Sequence, residues 1–166
     1  PTDITQTSNY GTSPDGTLTS TRLVLDNLTD SRSFNNTSLV NGTEYTFSAY
    51  YKGVSGEKTY MYFLSSTGGT TLSKEITFNG NWQRESITFT AGSVANYTCI
   101  VDVRQGASTA TDFEVWGASL EENSYSTSYI KTVGTTQTRV ADSCSQTPAS
   151  GIIGQTEGTV FLDVDF

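Results

Sequence analysis

Glu44-Tyr-Thr-Phe-Ser-Ala-Tyr-Tyr-Lys52 decides the fold class. Tyr45, Phe47, Ala49 and Tyr51 fall on one face of an extended chain, while Thr46, Ser48 and Tyr50 fall on the other. Strict period-two alternation of aromatic and hydroxyl side chains is the signature of a half-buried strand. Asn41-Gly42, a strong hairpin signal, turns the chain into this run. On the other side, Gly53 and Gly56 mark a connection to a second run, Lys58 to Leu64.

The same grammar extends outward in both directions. Upstream, strands are expected over Leu18 to Leu25 and about Arg32 to Val40. Downstream, Gly68-Gly69 leads into Thr71 to Phe78, and Asn79-Gly80 into Trp82 to Thr90, with Tyr97 to Arg104 and Asp112 to Leu120 completing the set. No window shows a helical 3.6 period. The reading is all-β: an antiparallel β-sandwich (jelly roll) of about eight strands with an extended carboxy-terminal segment.

Composition agrees. The 166 residues hold 29 Thr, 21 Ser, 15 Gly, 9 Tyr and 8 Phe, a supply suited to pleated surfaces and turns. A chain of this length buries a core without disulfides or metals. The net charge of −8, with nine Lys and Arg spread throughout, argues against nucleic acid and against an anionic membrane surface. Imidazole chemistry is excluded because there is no His. Cys99 and Cys144 show no metal-ligand spacing and read as a buried strand thiol and a linker thiol, a disulfide being the minority alternative.

Four segments are expected: a lead-in over 1–16, the jelly roll over 17–122, a linker over 123–157 that packs on or leaves the sandwich, and a strand over 158–166. In that last strand Val160, Leu162, Val164 and Phe166 share one face, so it either opens a following β-domain or pairs with another chain.

Five side chains on wet strand faces stand out as glycan-binding candidates: Tyr50, Trp82, Arg84, Asp102 and Arg104. Aromatic rings pack against the C–H face of a pyranose, and charged forks hydrogen-bond its hydroxyls. The competing reading is that Trp82, just after a turn, covers a core end. Asp112 and Glu114 are the metal candidates: with carbonyl oxygens of the amino-terminal loop they suit a structural calcium, and turn-stabilising hydrogen bonds are their other reading. No other cofactor is expected. Carboxylates are available, but no spacing singles out an acid/base pair, so no catalytic residue is assigned.

Several stretches in order carry a family resemblance. They are Ser13-Pro-Asp-Gly-Thr-Leu-Thr-Ser-Thr-Arg-Leu23, Gly42 to Lys52, Asn81-Trp-Gln-Arg84 with Ser86-Ile-Thr-Phe-Thr90, Val115-Trp-Gly-Ala-Ser-Leu-Glu121 and Thr127-Ser-Tyr-Ile130. Over about residues 13–142 the chain resembles the carbohydrate-binding-module-like jelly roll of tailed-bacteriophage fibre, tailspike and head-fibre proteins. Thr138-Arg-Val-Ala-Asp-Ser-Cys144 and Glu157-Gly-Thr-Val-Phe161 are similar to the handover into a laminin-G or concanavalin-like domain. The resemblance implies a non-catalytic structural or adhesive domain of a virion appendage. It implies other virion proteins as partners, a trimer or dimer packing through Tyr50, Tyr60 and Tyr62, and contact with host-surface polysaccharide. The alternative is a carbohydrate-binding module of a secreted polysaccharide-degrading enzyme.

Overall fold

A computed structural model of the chain describes residues 1–65, 71–93 and 96–132. The chain divides into two units, Pro1–Lys131 and Thr132–Phe166, and the first holds every described element. The strand expected over 158–166, Cys144, and all of the expected linker beyond 132 lie outside the described residues.

Among the described residues there are nine strands: β1 Ile4–Ser8, β2 Thr21–Leu25, β3 Arg32–Thr37, β4 Glu44–Lys52, β5 Lys58–Ser65, β6 Leu72–Thr77, β7 Gln83–Thr90, β8 Asn96–Asp102 and β9 Asp112–Glu121. They make two antiparallel sheets, β1-β2-β9-β4-β7 and β3-β8-β5-β6, packed as a sandwich. Between the sheets lie Leu23, Phe47, Tyr51, Met61, Phe63, Phe89 and Phe113, each 6% exposed or less. Burying each such side chain is worth roughly 1.5–3 kcal/mol.

One strand was not legible. Ile4–Ser8 falls in the expected lead-in, yet pairs with β2 from Ile4↔Leu25 to Ser8↔Thr21. As an edge strand it needs few apolar side chains, and Ile4 supplies the one that packs on the core. The expected start of β2 at Leu18 also moves to Thr21, since Leu18 is exposed and belongs to a turn-rich loop.

Among the described residues two bulges interrupt the alternation. In β9, Gly117 and Ala118 face the single residue Ala49, because Tyr50 pairs Trp116 and Ser48 pairs Ser119. Gly117 takes φ +60°, where side-chain-bearing residues are strained. In β8, Ser33 pairs Val101 and Phe34 pairs Cys99, leaving Ile100 without a partner in β3. The Tyr51 hydroxyl crosses the core and donates to the Ile100 carbonyl at 2.8 Å. Burial pushes the Tyr51 phenol up, so it stays protonated and keeps donating.

Candidate functional site

The five glycan candidates divide between the outer faces of the two sheets. Tyr50, Trp82 and Arg84 belong with the five-stranded sheet. The Arg84 guanidinium lies 5.5 Å from the centre of the Tyr50 ring, and Tyr50 meets Trp116 edge-on at 5.4 Å. Trp82 sits at the β7 end of that face, with the Lys52 ammonium 5.8 Å from its ring.

This face is overlaid by the chain itself. After β9 the segment from Glu122 to Lys131 folds back across it. Thr46 Oγ1 donates to the Asn123 carbonyl at 2.8 Å and Arg84 Nη1 to the Thr127 carbonyl, while Arg84 Nη2 donates to Ser48 Oγ at 2.9 Å. Tyr129 lays its ring 4.4 Å from that of Trp116, over the flat patch that Gly117 leaves. Thr46 and Ser48 are therefore fully buried although they point away from the core. From the other side comes the 10–20 loop. Trp82 Nε1 donates to the Thr12 carbonyl at 3.0 Å, and Trp116 Nε1 to Thr19 Oγ1 at 3.1 Å. Asp15 ties that loop together, accepting from Ser13 Oγ at 2.7 Å and Thr17 Oγ1 at 2.6 Å. These hydrogen bonds, the Thr17 hydroxyl first, hold its carboxyl at about 2.

Asp102 and Arg104 belong to the other sheet. Its outer face follows from the register: Phe34 and Tyr62 both pair Cys99, and Leu64 pairs Tyr97. Phe34, Cys99 and Tyr62 thus form one row across three strands, with Tyr97 and Leu64 in the next. Phe34 is 45% exposed and meets Tyr97 edge-on at 5.8 Å, whereas Tyr62 and Cys99 are buried beneath.

At the end of these rows stands Arg104. Asp102 caps a one-turn 3-10 helix, Val103–Gln105, accepting from the Arg104 amide at 3.1 Å. It also accepts from Arg104 Nε at 2.9 Å and Nη2 at 2.6 Å. Burial raises the Asp102 carboxyl, but the Arg104 hydrogen bonds outweigh it and leave the group below its usual range. The pair is asymmetric: Asp102 is 0% exposed and the Arg104 side chain 41%. A guanidinium is thereby fixed in direction while much of its side chain stays exposed, the arrangement that presents a planar donor to a ligand oxygen. Sequence reasoning singled out Arg104 but not Phe34. The available signal was an aromatic standing alone in a polar strand, Ser33-Phe-Asn-Asn36.

Beneath this face, burial and the nearby Asp102 carboxylate push the Cys99 thiol up to about 12. It is a protonated, inert floor rather than a nucleophile.

Asp112 and Glu114 share the outer face of β9, beside the amino-terminal loop. Asp112 forms a two-pronged pair with Arg22, one limb Nε to Oδ1 at 2.8 Å, which holds its carboxyl below the usual range. Glu114 accepts from Ser20 Oγ at 2.6 Å and from Lys52 Nζ at 3.4 Å. Both carboxylates are thus engaged by cations or hydroxyls. Among the described residues no group of three or more acidic, Cys or His side chains stands together as a metal cluster.

Two comparisons with known proteins are without a match: no family model fits the chain, and no curated protein is similar. Solved structures do match. One, described as "CBM4 structure and function", is 15% identical with a TM-score of 0.51, over 67% of this chain and 74% of that one. Another is the CBM22-1–GH10 portion of Clostridium thermocellum xylanase 10B, solved with xylohexaose. It is 19% identical with a TM-score of 0.50, over 74% of this chain and 25% of that one. At these identities the likeness is one of fold: this chain is an antiparallel β-sandwich similar to these structures. No helix among the described residues is long and apolar enough to cross a membrane.

Proposed function

We propose that this chain is a non-catalytic glycan-binding module whose contact surface is the outer face of the four-stranded sheet. The observation that carries the reading is Arg104, locked by the buried Asp102 at one end of a face that exposes Phe34 and half-exposes Tyr97. An exposed ring offers a platform for a sugar's C–H face, and the fixed guanidinium offers donors to its hydroxyls. The fold shared with a CBM4 structure and with a CBM22-bearing xylanase supports the same reading. Tyr50, Trp82 and Arg84 then serve to hold the chain's own returning segments.

The setting we favour is an adhesive domain of a phage virion appendage, resting on the sequence resemblance, with host-surface polysaccharide as the ligand. The module of a secreted polysaccharide-degrading enzyme is the second reading, and the CBM22–GH10 neighbour is the observation that favours it. Affinity gel electrophoresis against bacterial capsular polysaccharides and plant xylans tests both. Phe34→Ala, Tyr97→Ala and Arg104→Ala should each weaken retention about tenfold, and Trp82→Ala should not. Retention lost only with Tyr50→Ala or Trp82→Ala would move the site to the other sheet, and no retention on any polysaccharide would overturn the function. Preference for capsular polysaccharide over xylan favours the phage setting.

A further inference from the structure

The chain holds two Asn-Gly steps, Asn41-Gly42 and Asn79-Gly80. Both lie in exposed turns, and both glycines take positive φ, +79° at Gly42 and +86° at Gly80. They differ in what the glycine amide does. Gly42 N donates to the Ala91 carbonyl at 2.9 Å, and Ala91 N donates to the Thr43 carbonyl at 2.9 Å, so this turn continues the ladder between β4 and β7. Among the described residues the Gly80 amide donates to no partner. The hydrogen bonds of that turn gather on Asn79 instead. Its amide donates to Gln83 Oε1 at 3.2 Å, and its side-chain Oδ1 accepts from the Asn81 amide at 2.8 Å.

We propose that Asn79 is a site of spontaneous deamidation and that Asn41 is protected from it. The Gly80 backbone nitrogen attacks Asn79 Cγ, and the new N–Cγ bond closes a five-membered succinimide. The proton of the Gly80 amide passes to the departing side-chain nitrogen, which leaves as ammonia. Water then reopens the ring at either carbonyl. One opening gives aspartate; the other breaks the original peptide link and gives isoaspartate. Three features favour the step at Asn79. Glycine has no Cβ to hinder the attacking nitrogen. That nitrogen has no hydrogen bond to give up first. The Asn81 amide already donates to Oδ1, the oxygen on which negative charge gathers during attack, as an oxyanion hole does. At Asn41 the same nucleophile is held by Ala91. The product matters to its neighbours, because isoaspartate adds a methylene to the main chain between β6 and β7 and leaves a carboxylate. Trp82, in the same turn, holds the Thr12 carbonyl through Nε1 at 3.0 Å, so the reaction loosens the 10–20 loop as the molecule ages.

The test incubates the whole chain, Pro1–Phe166, at pH 8 and 37 °C, folded and in concentrated urea, followed by trypsin digestion and mass spectrometry. Peptide Glu75–Arg84 reports Asn79 and peptide Ser33–Lys52 reports Asn41, with backbone fragmentation assigning the residue. In the folded chain acid should accumulate at Asn79 about tenfold faster than at Asn41, and in urea, where Gly42 loses Ala91, the two rates should agree within about twofold. Asn79→Gln should abolish the change in the first peptide at that position. The reacted chain, separated by anion exchange, should show red-shifted tryptophan emission, and unchanged emission would refute the link to Trp82. A folded chain in which Asn79 stays intact or reacts no faster than Asn41, or a lead for Asn79 that persists in urea, would each overturn the proposal.

Discussion

Replacing Asp102 with Ala removes three hydrogen bonds at once, those from the Arg104 amide, Nε and Nη2. Charge-assisted bonds of this kind are worth about 1.5–3 kcal/mol each when both partners are dry. Arg104 is not dry: its side chain is 41% exposed and rehydrates once released, so most of the ion-pair energy is returned by water. What remains is the lost cap of the 3-10 turn and the small cavity left by a fully buried carboxylate, together about 2 kcal/mol. For a domain of this size that lowers Tm by about 8 °C. Asp102→Asn keeps a capping oxygen and should lose roughly half as much. The functional effect differs in kind, since a loosened Arg104 must be re-ordered by the ligand. Polysaccharide affinity should fall about tenfold, which is about 1.4 kcal/mol. Thermal unfolding followed by circular dichroism, paired with affinity electrophoresis, reads the two effects separately. An unchanged Tm would refute the account of the buried pair. A lowered Tm with affinity unchanged would refute Arg104 as a ligand-contacting arm.

Two other outcomes follow from the opposite sheet. Gly117→Ala forces a Cβ into a backbone at φ +60° and to 3.3 Å from the Tyr129 and Tyr50 rings, which should cost about 2 kcal/mol in chemical denaturation and red-shift Trp116 emission. A Gly117→Ala chain as stable as wild type would contradict the bulge geometry. Asp15 titrates at about 2 in the folded chain against an ordinary 3.8, so its support of the 10–20 loop is complete above 3.8 and disappears as pH falls towards 2. Because Trp82 and Trp116 both donate to that loop, their fluorescence should change across this window in wild type and lack the step in Asp15→Ala.

The sandwich itself was readable because alternation is a local property: Glu44–Lys52 shows in sequence the same buried and covered faces that the structure shows in space. The site was only half readable. Period two tells which side chains leave a strand together, but not which sheet the strand will join. Hence Arg104 and Tyr50, both on wet faces, ended on opposite sides of the molecule. Covering of an outer face blurred parity further. Thr98 and Cys99 are adjacent and both buried, which no simple alternation produces: Thr98 pairs Phe63 on the core face, while Cys99 sits on the outer face in the row of Phe34 and Tyr62. Gly117 within a strand pattern was a usable bulge signal. The overlay by Asn123–Tyr129 was not foreseeable in detail, since it depends on backbone carbonyls, which every residue has.

That overlay has a mechanical consequence. A pull arriving from beyond Lys131 does not act first on β9. It meets the Tyr129–Trp116 stack and then the Arg84 hold on Thr127, contacts that can yield and re-form one at a time. Only when these have given way does tension reach β9, whose last residues are paired with β4 alone and whose first residues are paired with β2 as well. The returning segment is thus a strain relief at the point where the chain leaves its domain.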